Sequence, residues 1–149
     1  MVLVDFDLKR PSVSRTLGLG PDACHMSALL SGQATLAESL VRSQLDRIAF
    51  LLNDEVHMDS SEVLASPSAV DICQQLRAMQ DCLIVFDMPP VLATDDLLAF
   101  APLVESVLLV VTEGKTTRED LARVHDLLDG VNVIGTVLNR SADKAPAYY

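Results

Sequence analysis

At 149 residues, half of them hydrophobic and only 4% aromatic, the chain is long enough to bury an aliphatic core without disulfides. A formal charge of −10 argues against sequence-independent nucleic-acid binding, which needs clustered Lys and Arg, so no nucleic-acid partner is expected. The longest apolar runs, Leu97 to Val104 and Val107 to Val111, fall far short of a membrane span, and Asp5, Asp7, Lys9 and Arg10 interrupt any apolar stretch of signal-peptide type.

In chain order, Met1 to Phe6 is a short apolar run closing on carboxylates, Asp5 and Asp7, with Lys9, Arg10 and Pro11 behind it. Ser12 to Leu17 predicts a short helix stopped at Gly18, and His25 to Ser31 a helical turn ended by Gly32. Thr35 to Ser43 carries Leu36, Leu40 and Val41 at helical spacing, and Ile48 to Leu52 is the next strand. Asn53 to Ser61 is polar and acidic and reads as an exposed loop. Ser66 and Pro67 look like the cap and first position of a helix to Met79, with Val70, Cys73, Leu76 and Met79 on one stripe.

Leu83 to Phe86 is apolar without alternation, the pattern of a strand buried on both faces. Pro89 and Pro90 cannot donate ladder hydrogen bonds, so Asp87 must stand at that strand's end. Thr94 to Asp96 caps a helix through Phe100, Ser106 to Thr112 is a strand, and Thr116 to Glu119 opens an amphipathic helix. That helix turns Leu121, Val124, Leu127 and Leu128 inward and stops at Gly130, before a last strand, Val131 to Leu138, closed by Asn139. Cys24, Cys73 and Cys82 form no CxxC pair and read as small core hydrophobes in a reducing compartment; His25, His57 and His125 are scattered and suggest no zinc site. Strands alternating with helices predict an α/β fold with a doubly wound, mostly parallel sheet.

Two strands that each end in Asp place Asp5, Asp7 and Asp87 on one edge of that sheet, where open α/β sheets bind ligands. A lone Asp after a strand is as often a helix cap or a solvated loop acid. Three clustered acids, however, repel unless a cation or a proton is shared among them, which points to Mg²⁺ and phosphate chemistry.

The stretch Val2-Leu3-Val4-Asp5-Phe6-Asp7-Leu8-Lys9-Arg10-Pro11 resembles the Walker A-prime motif of the bacterial tyrosine kinase family of capsule and exopolysaccharide assembly. Leu83 to Pro90 is similar to that family's Walker B motif, and Asp59 to Ser66 to its Pro-Ser-Glu-Leu-Leu-Ser-Ser stretch. Val131 to Asn139 resembles the strand ending in Val-Leu-Asn, and Tyr148-Tyr149 a short C-terminal tyrosine cluster. Glu113 to Leu121 is similar to the subgroup found with exosortase-type exopolysaccharide loci. The two Walker motifs alone also fit partitioning ATPases of the ParA/MinD kind; the middle stretch and the tyrosine tail favour the kinase.

The resemblance implies a P-loop NTPase fold of ParA/MinD type that binds ATP and Mg²⁺. Asp5 is then the base for an incoming tyrosine hydroxyl, Asp87 holds Mg²⁺, Asp7 supports the metal or its waters, and Asn139 contacts the nucleobase. Tyr148 and Tyr149 are the phosphate acceptors, offered to a neighbouring copy in a homo-oligomer. The implied partner is a transmembrane polysaccharide chain-length or activator protein, which would hold a cytoplasmic kinase at the inner face of the membrane. The organisation expected is a partial kinase domain over 1–141 and a mobile tyrosine-containing tail over 142–149.

The sequence also departs from the family. No GxxxxGK[ST] occurs in it, and that loop supplies the amides, lysine and hydroxyl that cradle phosphates. In the family it precedes the A-prime strand, so a strand, loop and helix of about 30 residues are expected to be missing by truncation, with Met1 an internal residue or an artificial start. The absent strand lies beside the Walker B strand, which predicts an unpaired edge there. Met88 stands for the usual Thr, His25 for a Gly, and Asn53-Asp54 for a Gly-containing loop. The fragment is therefore expected to be inactive by itself, with a ParA/MinD-like ATPase and a non-catalytic docking module as alternatives.

Overall fold

The computed structural model describes residues 1–23, 25–43 and 47–141. Cys24 and the tail with Tyr148 and Tyr149 lie outside the described residues. The chain forms two compact units, Met1–Leu103 and Val104 onward.

The first unit begins with strand β1 (Val2–Asp5) and helices α1 (Val13–Thr16), α2 (Met26–Leu30) and α3 (Leu36–Ser39). Strands β2 (Val41–Arg42) and β3 (Ala49–Leu51), helices α4 (Ser60–Leu64) and α5 (Pro67–Arg77), strand β4 (Ile84–Asp87) and helix α6 (Asp96–Phe100) follow. The sheet order is β2-β3-β1-β4. β1 runs parallel to β3 and to β4, and only β2 is antiparallel. Parallel neighbours demand crossover connections, which the helices between β1 and β3 and between β3 and β4 supply. The mostly parallel α/β sheet expected from the alternation is thus present.

The core is aliphatic, as the composition requires: Val2, Val4, Leu8, Leu51, Leu52, Leu64, Ile72 and Leu76 are buried. Several expected boundaries shift. Helix α3 ends at Ser39, and Val41 lies in β2 rather than in a helix, because the backbone is already extended at Leu40. Thr35 starts α3 by a reciprocal capping box with Glu38. Ser66 and Pro67 do start α5, the Ser66 hydroxyl accepting the Ala69 N–H at 3.3 Å. The buried stripe of α5 is Ala69, Ile72, Cys73 and Leu76; Cys73 and Leu76 are on it as expected, with Ala69 and Ile72 in place of Val70 and Met79. The stretch 53–61 is not uniformly exposed: Asn53 is buried, bonding the Glu55 backbone through both ends of its amide, and Ser60 is buried at the start of α4.

Strand β4 departs most. Among the described residues it is an edge strand paired with β1 alone, and Val85 (38% exposed) and Leu83 just before it (66%) face outward while Ile84 and Phe86 are half-buried. It is therefore covered on one face, not on both, and among the described residues its far edge is unpaired, as expected.

The second unit holds strand β5 (Val107–Thr112), helix α7 (Arg118–Leu127) and strand β6 (Val133–Asn139), with β5 and β6 parallel. Thr117 opens α7 by a capping box with Asp120. Only Val124 and Leu128 of the expected inward face are buried; Leu121 and Leu127 are exposed.

Candidate functional site

The first unit brings Asp5, Asp7 and Asp87 together at the C-terminal ends of β1 and β4. Asp5 and Asp87 close these two adjacent parallel strands as register partners, and Asp7 follows two residues beyond Asp5. Each strand end is fixed by an aromatic residue beside its acid. Phe6 packs on Phe86 with ring centroids 5.4 Å apart, and both meet Phe100 of α6 in edge-on contacts at 5.2 and 4.9 Å. Offset and edge-on rings of this kind add about 0.5–1.5 kcal/mol per pair beyond their burial. Three of the four phenylalanines of the chain thus set the spacing of the acids.

Asp5 is fully buried. Its Oδ2 accepts the backbone N–H groups of Ser12 (3.2 Å) and Val13 (3.1 Å), so it caps α1, whose own cap residue Ser12 makes no side-chain bond. Its Oδ1 is buried and without a partner among the described residues. Burial pushes the Asp5 carboxyl up to about 6; the Val13 amide opposes this and the Asp87 charge adds to it. Asp87 stands exposed at the end of β4, and its carboxyl is also raised, first by desolvation and then by the negative charge of Asp7. Asp7 is half-buried, and its Oδ1 accepts the Arg10 N–H at 2.9 Å.

Among the described residues no three acids, histidines or cysteines form a metal cage. Magnesium does not require one, because it keeps several waters and bonds one or two carboxylates together with substrate phosphates. The carboxylates of Asp87 and Asp7 are hard-oxygen donors that fit such an ion, and the unpartnered buried oxygen of Asp5 adds negative charge beside them.

The loop that carries Asp7 is tied down by groups from distant parts of the chain. Leu8 C=O accepts the His57 N–H at 2.9 Å. Lys9 Nζ lies 3.9 Å from Oδ1 of Asp96, which is fully buried at the start of α6, and the same oxygen accepts the Ser60 hydroxyl at 2.8 Å. The only signal for Asp96 in the sequence was its place in a capping stretch; its long-range partners, 36 and more residues away, leave no local pattern. A shallow cavity of about 730 Å³ lined by Ser27, Ser31, Glu55, His57, Ser66 and Ser68, among others, touches none of the three acids.

Asn139 stands in the second unit, at the end of β6 and in register with Thr112. Its side-chain oxygen accepts the Arg140 N–H at 2.8 Å, a strand-end turn in which Arg140 takes a φ of +58°. Tyr148 and Tyr149 lie outside the described residues.

No family model matches the chain. Among curated proteins it is similar to CapB of Staphylococcus aureus, named among the tyrosine-protein kinases, with 26% identity over 99% of this chain and 65% of that protein. The tyrosine-protein kinase YwqD of Bacillus subtilis is 23% identical over 93% of this chain and 59% of its own length. The succinoglycan biosynthesis transport protein ExoP of Rhizobium meliloti is 27% identical over 94% of this chain and 18% of its own. The chain therefore spans less than two thirds of each of these relatives. Among solved structures, the VpsO kinase domain superposes with a TM-score of 0.82 and 28% identity over 94% of this chain and 70% of that one. MinD of Pyrococcus horikoshii, determined with Mg-ADP, shares the fold alone, with a TM-score of 0.70 and 20% identity over 98% of this chain and 61% of that one. The resemblance carried by the Walker-type strands agrees with these matches: the chain is similar to proteins named as bacterial tyrosine kinases, and it shares the α/β fold of the VpsO kinase domain and of MinD.

Proposed function

We propose that this chain is part of a tyrosine autokinase that transfers the γ-phosphoryl group of ATP to tyrosine and regulates exopolysaccharide or capsule assembly. The observation that carries the reading is the register of Asp5 with Asp87 at the C-terminal ends of β1 and β4, with Asp7 two residues on. Phosphoryl transfer is mainly positioning and charge neutralisation, with a carboxylate to orient the nucleophile. Asp5, held at about 6, accepts a proton near neutral pH, where a general base is most effective. Asp87 and Asp7 are the residues that hold Mg²⁺, which when bound neutralises charge on the phosphates. Asn139 is assigned to the nucleobase, and Tyr148 and Tyr149 to the role of acceptors on a neighbouring copy.

By analogy with relatives named for polysaccharide biosynthesis, such as ExoP, the partner is a transmembrane activator that brings the domain to the inner face of the membrane. The sequence contains no GxxxxGK[ST], so these 149 residues by themselves are assigned no activity. The 1–141 segment is read as the partial kinase domain and 142–149 as its tyrosine-bearing tail.

The test is phosphotyrosine formation, by mass spectrometry, in the longest in-frame product that contains this chain, incubated with ATP and Mg²⁺. Phosphate on Tyr148 or Tyr149 that disappears in Asp5→Asn supports the kinase. ATP hydrolysis without phosphotyrosine moves the assignment to a ParA/MinD-like ATPase. Partner binding without nucleotide affinity moves it to a docking module.

A further inference from the structure

We propose that Asp96 is a positioning residue that, through Lys9, holds the Asp7–Arg10 turn and with it the Asp7 carboxylate at the sheet edge. The inference rests on the reading of Asp7 as part of a metal and phosphate site. Asp96 is fully buried, yet its hydrogen bonding is meagre. Oδ1 takes the Ser60 hydroxyl at 2.8 Å and faces Lys9 Nζ at 3.9 Å, while Oδ2 is buried with no partner among the described residues. Removing a carboxylate from water costs several kcal/mol, and an apolar residue of similar size at such a place is commonly as stable or more so. Stability is thus a poor account of Asp96. Location is a better one.

Lys9 sits in a turn closed by the Arg10 N–H, which reaches the Asp7 carbonyl at 3.2 Å and the Asp7 Oδ1 at 2.9 Å. Where the Asp7 carboxylate points therefore depends on where this turn is held. Besides the burial of Leu8, two polar ties among the described residues hold it: the neutral bond from His57 N–H to Leu8 C=O, and the charged link from Lys9 to Asp96 and on to Ser60. The second joins the segment after β1 to the starts of both α4 and α6. It is also the tie that one isosteric substitution severs, since Asp96→Asn keeps the shape and the bond to Ser60 and loses the charge that Lys9 seeks. Outer groups that orient metal ligands in this way are worth about 10–100-fold in metal affinity.

The experiment follows amide hydrogen exchange by NMR in this chain, with Mn²⁺ alone as the metal probe. In Asp96→Asn and in Lys9→Met the Arg10 amide exchanges about tenfold faster than in the wild type, because its local opening is easier. The Ser12 and Val13 amides, bonded to Asp5, stay as slow as before, and Lys9→Arg preserves the slow Arg10 exchange. Mn²⁺ affinity falls about tenfold in the first two variants and recovers in the third. Unchanged Arg10 exchange overturns the proposal, and so does equal acceleration at Arg10, Ser12 and Val13, which marks general loosening. If Asp96→Asn does not fold, Lys9→Met carries the same test from a partly exposed position. A wild type that protects Arg10 through Lys9 but binds no Mn²⁺ overturns the metal-site reading and leaves the clamp standing.

Discussion

Asp5 and Asp87 are register partners at the ends of two adjacent parallel strands, so the chain holds two carboxylates side by side with one of them fully buried. A fold that only needed a cap for α1 would do better with Asn or Ser at position 5, since either accepts the same amides without a charge to desolvate.

The cost of that charge is measurable. An acid held at about 6 in the fold, against an ordinary 3.8, binds its proton more tightly folded than unfolded. Its penalty is absent below about pH 3.8, grows as pH rises to about 6, and then amounts to about 3 kcal/mol. Asp5→Asn is therefore expected to stabilise the protein at pH 7.5 by about 1–3 kcal/mol and to have little effect at pH 4. Urea unfolding of both proteins at the two pH values checks this. Equal effects at both would mean that the amide bonds of Ser12 and Val13, not burial, set the behaviour of Asp5.

The Phe6–Phe86–Phe100 cluster gives a second expectation. Phe6 and Phe100 are fully buried, and truncating a buried phenylalanine costs about 3–5 kcal/mol through lost transfer energy and the cavity left. Phe100→Ala is expected to fall in that range. Phe100→Leu, which keeps most of the volume, is expected to stay within about 1.5 kcal/mol while loosening the spacing of the strand ends. Denaturant midpoints supply the first number. The chemical shift of the Asp87 amide, compared between the two variants, reports the second.

How much of this was legible follows from the range of each interaction. The Pro89-Pro90 stop made Asp87 a strand end, and Asp5 and Asp7 were readable in the same way, because strand termination is local. The capping of α5 by Ser66 and of α7 by Thr117 was legible for the same reason. The Phe cluster and the Lys9–Asp96–Ser60 link join residues dozens of positions apart, and no periodicity marks them. Leu83 to Phe86 misled because an unbroken apolar run reports that a strand can be buried on both faces, not that the residues present cover it. On α5 Cys73 and Leu76 were legible, and the miss was confined to the flanking pair, because Ala69 and Ile72 fit a helical repeat with them as well as Val70 and Met79 do.

Asp81 offers a local test outside the site. It precedes β4 with a φ of +54°, a conformation that costs L-residues about 1–2 kcal/mol and that Asp tolerates better than most. Asp81→Gly is expected to be neutral or slightly stabilising. Asp81→Val, β-branched, is expected to lose about 1–2 kcal/mol with no change in the burial of Ile84 or Phe86. Thermal unfolding of the pair separates backbone strain from lost side-chain contacts, since a Gly variant that lost as much as Val would assign the effect to the Asp carboxylate.

If Asp87 and Asp7 hold the ion, a proton taken up by neighbouring Asp5 weakens the field that the ion binds in. A ligand that binds only the folded state stabilises it by RT ln(1 + [L]/Kd), about 1.4 kcal/mol for each tenfold excess over Kd. Asp87 is raised by desolvation and by Asp7, and Asp5 sits at about 6. Protonating Asp5 at about 6 removes a negative charge beside Asp87, so the stabilisation by Mg²⁺ should be full near pH 7.5 and weaken as pH falls through 6. Asp87→Asn should remove it at every pH, and Asp5→Asn, which deletes a charge but not an assigned ligand, should weaken it and flatten its pH dependence. Melting temperatures with and without Mg²⁺ across that pH range decide the matter. A Mg²⁺ effect that persists in Asp87→Asn would place the ion elsewhere and leave the register pair as a structural acid couple.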